Sequence, residues 1–314
     1  MKKFFVIPFL FILLSACQST FQYTDNGRTL EYKSGDKSLL TYNYTTVYPP
    51  SGVDSVYRRS GFFHPVKNMR GETLTNLWPS DHYHHYGLWY AWTKTTYDGK
   101  EIDFWNVVKK QGTVRFHKFN DISDSGFKAT LNHIVYPDST AEKTVMKENL
   151  EIKLGKITES GYYIDYITTL QCTTNKPVTL ESHRYGGIVI RTREDWTSDR
   201  TYFLTSEGFT RNNADNTNAR WAFFQGKTEK GDASILILSH PSNLNHPEPL
   251  RIWDEKANSG KGDMMWNFSP TKKQAHILKP SDKLKLYYRI FIFDSRIDEK
   301  KANDLWESFA NTSK

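Results

Sequence analysis

Cysteine is almost missing from this 314-residue chain, which has only Cys17 and Cys172. One pair at most excludes a disulfide framework, so a hydrophobic core has to hold the fold. Cys172 lies in Leu170-Gln171-Cys172-Thr173 with no activating neighbour nearby in sequence. It reads as a small buried side chain rather than a nucleophile. Runs of five or six basic residues are absent, which argues against a nucleic-acid partner. Neither HExxH nor CxxC occurs, so no local metal signature is present. The chain also lacks a Pro/Ser-rich linker and an internal repeat. Helical periodicity is scarce and confined to the C-terminal end.

The apolar run Phe4 to Leu14 is too short to span a bilayer as a helix. It follows the basic Met1-Lys2-Lys3 and ends in Leu14-Ser15-Ala16-Cys17, which resembles a bacterial lipobox. The resemblance implies a signal peptide over 1–16, cleavage before Cys17 and a lipid on Cys17. No acidic residue follows in Gln18-Ser19-Thr20. The expectation is a periplasm-facing chain anchored to the outer membrane through lipid on Cys17. Losing Lys2 and Lys3 takes the formal charge from +7 to +5. That mild, dispersed positive charge helps recruit an anionic substrate without identifying it.

What is present points to strands. Aromatic residues make up 15% of the chain. Period-two alternation runs through Val114 to Phe119, Thr144 to Leu154, Tyr162 to Leu170, Pro177 to His183 and Lys283 to Phe293. Short runs within Phe21 to Tyr32 and Ser38 to Val47 are divided by Asn-Gly and Gly-Asp turns. Ser234 to Leu238 is continuously apolar, as in a strand buried on both faces. Near the end, Ala302, Leu305, Trp306 and Phe309 form one helical stripe, with Ser295 as its expected cap. The reading is all-β. Residues 17–314 are expected to form a single large antiparallel β-sandwich, of which the mutarotase-like supersandwich is one form, with a short C-terminal helix.

Four segments carry candidate chemistry. The densest is Asp81-His82-Tyr83-His84-His85-Tyr86-Gly87-Leu88-Trp89-Tyr90-Ala91-Trp92, continued by Asp103-Phe104-Trp105. Imidazoles take and give protons near neutral pH, and flat rings suit the stacking of sugars. In an extended strand, His82 and His84 would share one face and His85 the other. A second segment, Arg58 to Val66, includes His64 before a proline. In the third, Glu181 to Arg191, His183, Arg184 and Tyr185 lead into Gly186-Gly187, where a backbone can approach a ligand closely. The fourth, Ser239 to Arg251, presents His240, Asn243, His246 and Arg251 on a proline-rich loop.

These segments resemble the bacterial family labelled PmoA-like. The resemblance rests on Asp81-His82-x-His84-His85-x-Gly87-Leu88-Trp89-x-Ala91-Trp92, Asp103-Phe104-Trp105, Arg184-Tyr185-Gly186-Gly187 and His240-Pro241-x-Asn243-x-x-His246-Pro247. It extends from about Tyr57 to Phe293. Family members carry proline and arginine where this chain has Tyr83 and Tyr86, a departure that bears on substrate choice. The resemblance implies a secreted protein of polysaccharide-degrading bacteria. Its nearest functional likeness is the oligosaccharide dehydratase of ulvan breakdown. That activity removes water from a uronic acid at the non-reducing end and leaves a 4,5-unsaturated residue.

Such a reaction needs a base for the C5 proton, a cation or donor for the carboxylate, and an acid for the departing O4. His84, His85 or His183 are candidate bases, with His183 and His85 preferred, and Tyr185 is the candidate acid. Arg184, Arg191 or Arg251 would hold the carboxylate. Trp89 and Trp92 offer stacking surfaces, and Asn243 and His246 would contact the anionic oligosaccharide. A divalent metal held by Asp81, His82, His84 and His85 is the mechanistic alternative, with no cofactor otherwise implied. Two other functions compete: non-catalytic glycan capture, and glycoside hydrolysis by a pair drawn from Glu181, Asp81 and Asp103.

Overall fold

The computed structural model describes residues 21–136, 141–155 and 161–312. Cys17 and the expected signal segment lie outside them.

Two large antiparallel sheets carry the fold, and their alternating sequences explain why they stack. The nine-stranded sheet runs in the order Gln22–Asp25, Thr29–Ser34, Lys37–Asn43, Phe62–Val66, Leu88–Trp92, Gly186–Arg191, Met265–Phe268, Glu248–Ile252 and Asn218–Ala219. The eight-stranded sheet runs Thr201–Thr205, Trp221–Thr228, Gly231–Ser239, Lys283–Phe293, Gly161–Cys172, Lys143–Leu154, Gly126–Val135 and Gly112–Ser123. A smaller sheet joins His276–Leu278, Val178–Leu180, Thr95–Tyr97 and Lys100–Ile102.

Strand period two sends alternate residues to opposite faces. From Leu88–Trp92, Leu88, Tyr90 and Trp92 enter the core between the sheets. Trp89 and Ala91 enter a separate cluster on the other face, with Phe62, Tyr86, Trp105, Val189, Trp253 and Met265. Rings close the gap between the sheets: Tyr42 meets Phe127 at 4.6 Å, Phe63 meets Tyr166 at 6.3 Å and Phe268 meets Tyr288 at 6.1 Å.

The run Ser234 to Leu238 is covered on both faces. Ile235 and Ile237 join the inter-sheet core, while Leu236 and Leu238 pack under the C-terminal helix Glu299–Ala310 with Ala302 and Phe309. The sequence places the helix correctly and its cap wrongly. Asp298, not Ser295, accepts from the Lys301 N–H. The Ser295 carbonyl instead accepts from the Ser234 hydroxyl. Cys172 is buried, and its thiol donates to the Lys176 carbonyl at 3.1 Å.

Candidate active site

The outer face of the nine-stranded sheet carries a cleft of about 240 Å³ lined by His82, His84, His85, Thr93, Asp103, Trp105, Asn106, Lys109, His183, Tyr185 and Trp253. Its first wall is a pair of tight turns rather than a strand. The His82 N–H donates to the Pro79 carbonyl at 2.8 Å, and the His85 N–H to the His82 carbonyl at 3.0 Å. Folding the segment back on itself brings the three imidazoles together. Ring centres lie 5.4 Å apart for His82 and His84, 4.9 Å for His82 and His85, and 4.8 Å for His84 and His85. The expected division of these histidines between two strand faces is therefore corrected. Gly87 makes the exit from the turns possible. It sits at φ +72°, and a Cβ there would stand 2.5 Å from the Phe63 carbonyl oxygen.

The second wall comes from the neighbouring strand. Gly186 pairs with Trp92 across the antiparallel ladder, which sets His183 and Tyr185 beside the end of Leu88–Trp92. The two glycines serve packing rather than ligand approach. A Cβ on Gly186 would meet the Trp92 ring at 2.8 Å, and one on Gly187 the Phe268 carbonyl oxygen at 2.6 Å. Asp103 shapes a third wall by accepting from the Trp105 N–H at 2.9 Å and the Asn106 N–H at 2.7 Å. That turn places the Trp105 ring 5.3 Å from Tyr185. The Lys109 ammonium lies 3.4 Å from the Asp103 carboxylate.

Hydrogen bonds assign roles to two groups. The Tyr185 oxygen accepts from Arg251 Nη2 and Trp253 Nε1, each at 3.3 Å. With its lone pairs so occupied, the phenol acts toward a ligand as an O–H donor. Its ring also faces the Arg184 and Arg251 guanidiniums, 5.1 and 5.3 Å from its centre. The Tyr185 N–H donates to His183 Nδ1 at 3.1 Å. A neutral His183 therefore carries its proton on Nε2 and presents a donor.

Burial sets the charge state of the histidine cluster. His84 is held down to about 4 by burial, then by the charges of His82 and Arg191. Burial and the same cationic neighbourhood, His84 included, push the fully buried His85 well below its ordinary value. Both are neutral at pH 7. Burial also lowers His183, aided by Arg184, Lys94 and Lys109, against the contact of its Nδ1 with the Tyr185 carbonyl oxygen at 3.4 Å. For Asp81, burial acts upward, but hydrogen bonds from Asn258, Lys261 and His82 outweigh it and hold the carboxylate well below its usual range. Burial raises Asp103 despite its two backbone donors.

The model of one sequence family matches residues 29–307. The chain belongs to the family of unknown function DUF6807. No curated protein matches it. Among solved structures, this DUF6807 protein is similar to a heparan sulfate lyase mutant from Pedobacter heparinus, at 11% identity and a TM-score of 0.45. That alignment covers 89% of this chain and 37% of the lyase. It is also similar to a galactose mutarotase related enzyme from Lactobacillus acidophilus, at 10% identity and a TM-score of 0.39. There the alignment covers 87% of this chain and 97% of that one.

Of the residues expected from sequence, His84, His85, His183 and Tyr185 line one cleft in the DUF6807 protein, and Arg251 touches it through Tyr185. Arg184 is exposed beside Tyr185. Five expectations are redirected. Arg191 is 1% exposed and ion-paired with Asp263, with its guanidinium 4.8 Å from the Trp253 ring, so it supports the site from beneath. Trp89 is fully buried below His85, and Trp92 faces the inter-sheet core; Trp105 and Trp253 are the rings of the cleft.

Asn243 is consumed by Tyr287, accepting its N–H at 2.7 Å and donating to its carbonyl at 2.9 Å. His246 bonds Ser239 at 3.1 Å and stacks on Trp306 of the C-terminal helix. His64, from the second segment, bonds the Thr75 hydroxyl at 3.0 Å. Sequence reasoning missed Trp253 and Lys109. The signal for Trp253 was alternation, since it lies two residues beyond Arg251 in an extended segment. As to the metal alternative, among the described residues no group of three or more His, Cys, Asp or Glu side chains is arranged to hold an ion.

Proposed function

We propose that this protein is a carbohydrate-active lyase of the hydro-lyase type. In this reading it removes water from a uronic acid at the non-reducing end of an ulvan-type oligosaccharide, leaving a 4,5-unsaturated residue. One observation carries the reading: a tyrosine hydroxyl restricted to donation shares a cleft with imidazoles that are neutral at pH 7. Elimination beside a carboxylate asks for that pair. The C5–H bond breaks toward a neutral imidazole, with His84 or His85 as the base. The electron pair forms the C4–C5 double bond, and the C4–O4 bond breaks as Tyr185 protonates the departing oxygen. Water leaves, and the proton taken by the imidazole returns to solvent or to the tyrosinate. Lys109 and Arg251, with the Nε2–H of His183, are positioned to offset charge gathering on the carboxylate. The family resemblance read from the four motifs supports the same reaction.

Glycoside hydrolysis is less well supported. It uses two carboxyl groups roughly 5–9.5 Å apart. Among the described residues the cleft is lined by the single carboxylate of Asp103, which its own turn and Lys109 already engage. The deciding experiment incubates purified protein with a uronate-ended oligosaccharide. Ultraviolet absorbance of an unsaturated uronate should grow without new reducing ends. New reducing ends alone would make the protein a hydrolase, and tight binding with neither signal a capture protein.

The proposal extends to location, with lipid on Cys17 holding the chain to the periplasmic side of the outer membrane. Cys17→Ser should move the protein from the membrane to the soluble fraction of lysed cells. Continued membrane association would defeat the anchor.

A further inference from the structure

The turn Val107–Lys109 is shared between two clefts. Asn106 and Lys109 line the one described above, whereas Val107 and Lys110 line a second, of about 370 Å³. Its volume falls within the range of roughly 300–1,000 Å³ usual for small-molecule sites. Arg58, Arg59, Lys110 and Arg115 give it four cationic side chains against the carboxylate of Asp54. That carboxylate already accepts the Val56 N–H at 2.8 Å.

Arg59 decides what this second cleft is for. It is 2% exposed, and its two terminal nitrogens donate to the carbonyls of Phe104 and Tyr90 at 3.2 and 2.9 Å. Among the described residues its Nε has no hydrogen-bond partner. The face of Tyr86 lies 5.1 Å from its guanidinium. Glu148, whose charge it feels, is bonded to Thr168 and His133. Among the described residues Arg59 forms no ion pair. Keeping a charge buried without a partner is costly, and such charges are normally matched by an opposite one. Arg59 is one of the residues that line this open cleft, beside the more exposed Arg58 and Lys110. Arg115 is matched by Glu142, but Arg58 and Lys110 are not ion-paired among the described residues.

We infer that the second cleft is an anion-binding subsite that takes an acidic sugar residue of the same oligosaccharide, beyond the one that reacts. The ligand's identity rests on the oligosaccharide reading; the anion site rests on Arg59 and its neighbours alone. An oligosaccharide crossing the shared turn would place one acidic residue at the histidine cluster and another at Arg58, Arg59 and Lys110.

The test compares a disaccharide with one uronate, a tetrasaccharide with two, and inorganic sulfate, by calorimetry on the full mature protein. The tetrasaccharide should bind about tenfold more tightly than the disaccharide. The double variant Arg58→Ala/Lys110→Ala should erase that preference and leave disaccharide binding and disaccharide turnover unchanged. Both side chains reach solvent, so the fold should survive, and circular dichroism checks it. Length preference without any turnover, lost in the double variant, would uphold the subsite while defeating the lyase reading. Equal binding of both sugars, or a preference that persists in the double variant, overturns the subsite. Tight binding of sulfate with no gain from the longer sugar also overturns it, in favour of a site for free anions.

Discussion

The oxygen of Tyr185 accepts from Arg251 and Trp253, so its own proton is the one it has to give. Tyr185→Phe removes that proton and leaves two N–H groups without their acceptor. Loss of a general acid costs roughly 10²–10⁴-fold in rate. The variant should show a loss of that size in turnover, with oligosaccharide affinity changed by only a few fold. A rate within tenfold of the native protein would move the acid role to another group. The neutral histidines supply a second residue-scale test, in pH. His84, His64 and His246 are each held down to about 4, chiefly by burial, against an ordinary value near 6.5 in the unfolded chain. Between those values the unfolded chain binds more protons than the folded one. Stability is thus complete above pH 6.5 and is lost as pH falls toward 4. The midpoint of thermal unfolding should drop from pH 7.5 to pH 5, and part of that drop should vanish in His84→Gln. An unchanged midpoint across that interval would contradict the burial of these rings.

At the scale of the element, the turns before Leu88–Trp92 depend on Gly87. Any side chain there meets both an unfavourable φ and the Phe63 carbonyl. Gly87→Ala should destabilise the protein by about 1–3 kcal/mol. Because the same residue ends the histidine turns, turnover should fall by more than the unfolded fraction explains. Denaturant unfolding together with the specific rate separates the two effects, and full stability with full activity would refute the role given to this glycine. The histidine segment also marks the limit of sequence reading at this scale. Its composition was legible as chemistry, but its conformation was not. The aromatic, alternating stretch that follows suggested extending the strand backwards, whereas Pro79 and Gly87 delimit turns. The loop around Asn243 misled for a different reason. Polar side chains that cap a buried strand end have the same residue types as those that bind a ligand.

At the scale of the whole molecule, a polar network ties the two large sheets together through their core. Glu248, on the nine-stranded sheet, accepts from Ser239 at 2.5 Å and from Tyr288 at 2.8 Å, both on the eight-stranded sheet, and from Asn243 at 2.8 Å. Burial pushes its carboxyl up to about 7 against these three donors. Between the ordinary value near 4.5 and 7, the folded protein binds the extra proton, so Glu248 contributes stability below pH 4.5 that is lost as pH rises through 7. Glu248→Gln cannot ionise. The difference in unfolding midpoint between variant and native protein should shift in the variant's favour as pH rises from 4.5 to 7. A difference independent of pH would mean the carboxyl titrates normally.

From sequence alone came the all-β class, the doubly buried strand at Ser234 to Leu238, the C-terminal helix, and the gathering of chemistry at His84, His85, His183 and Tyr185. Period and composition carry that information locally, because alternation states which faces are covered. Only the tertiary structure decided which rings line the cleft. Trp89 and Trp253 are alike as residues, yet one is roofed by His85 and the other is not. It also decided that Arg191 supports the site while Arg251 touches it. Both arginines sit on strands of one sheet, and their difference lies in partners far along the chain, Asp263 for one and Tyr185 for the other. Pairings between distant strands choose those partners, and no local pattern records them.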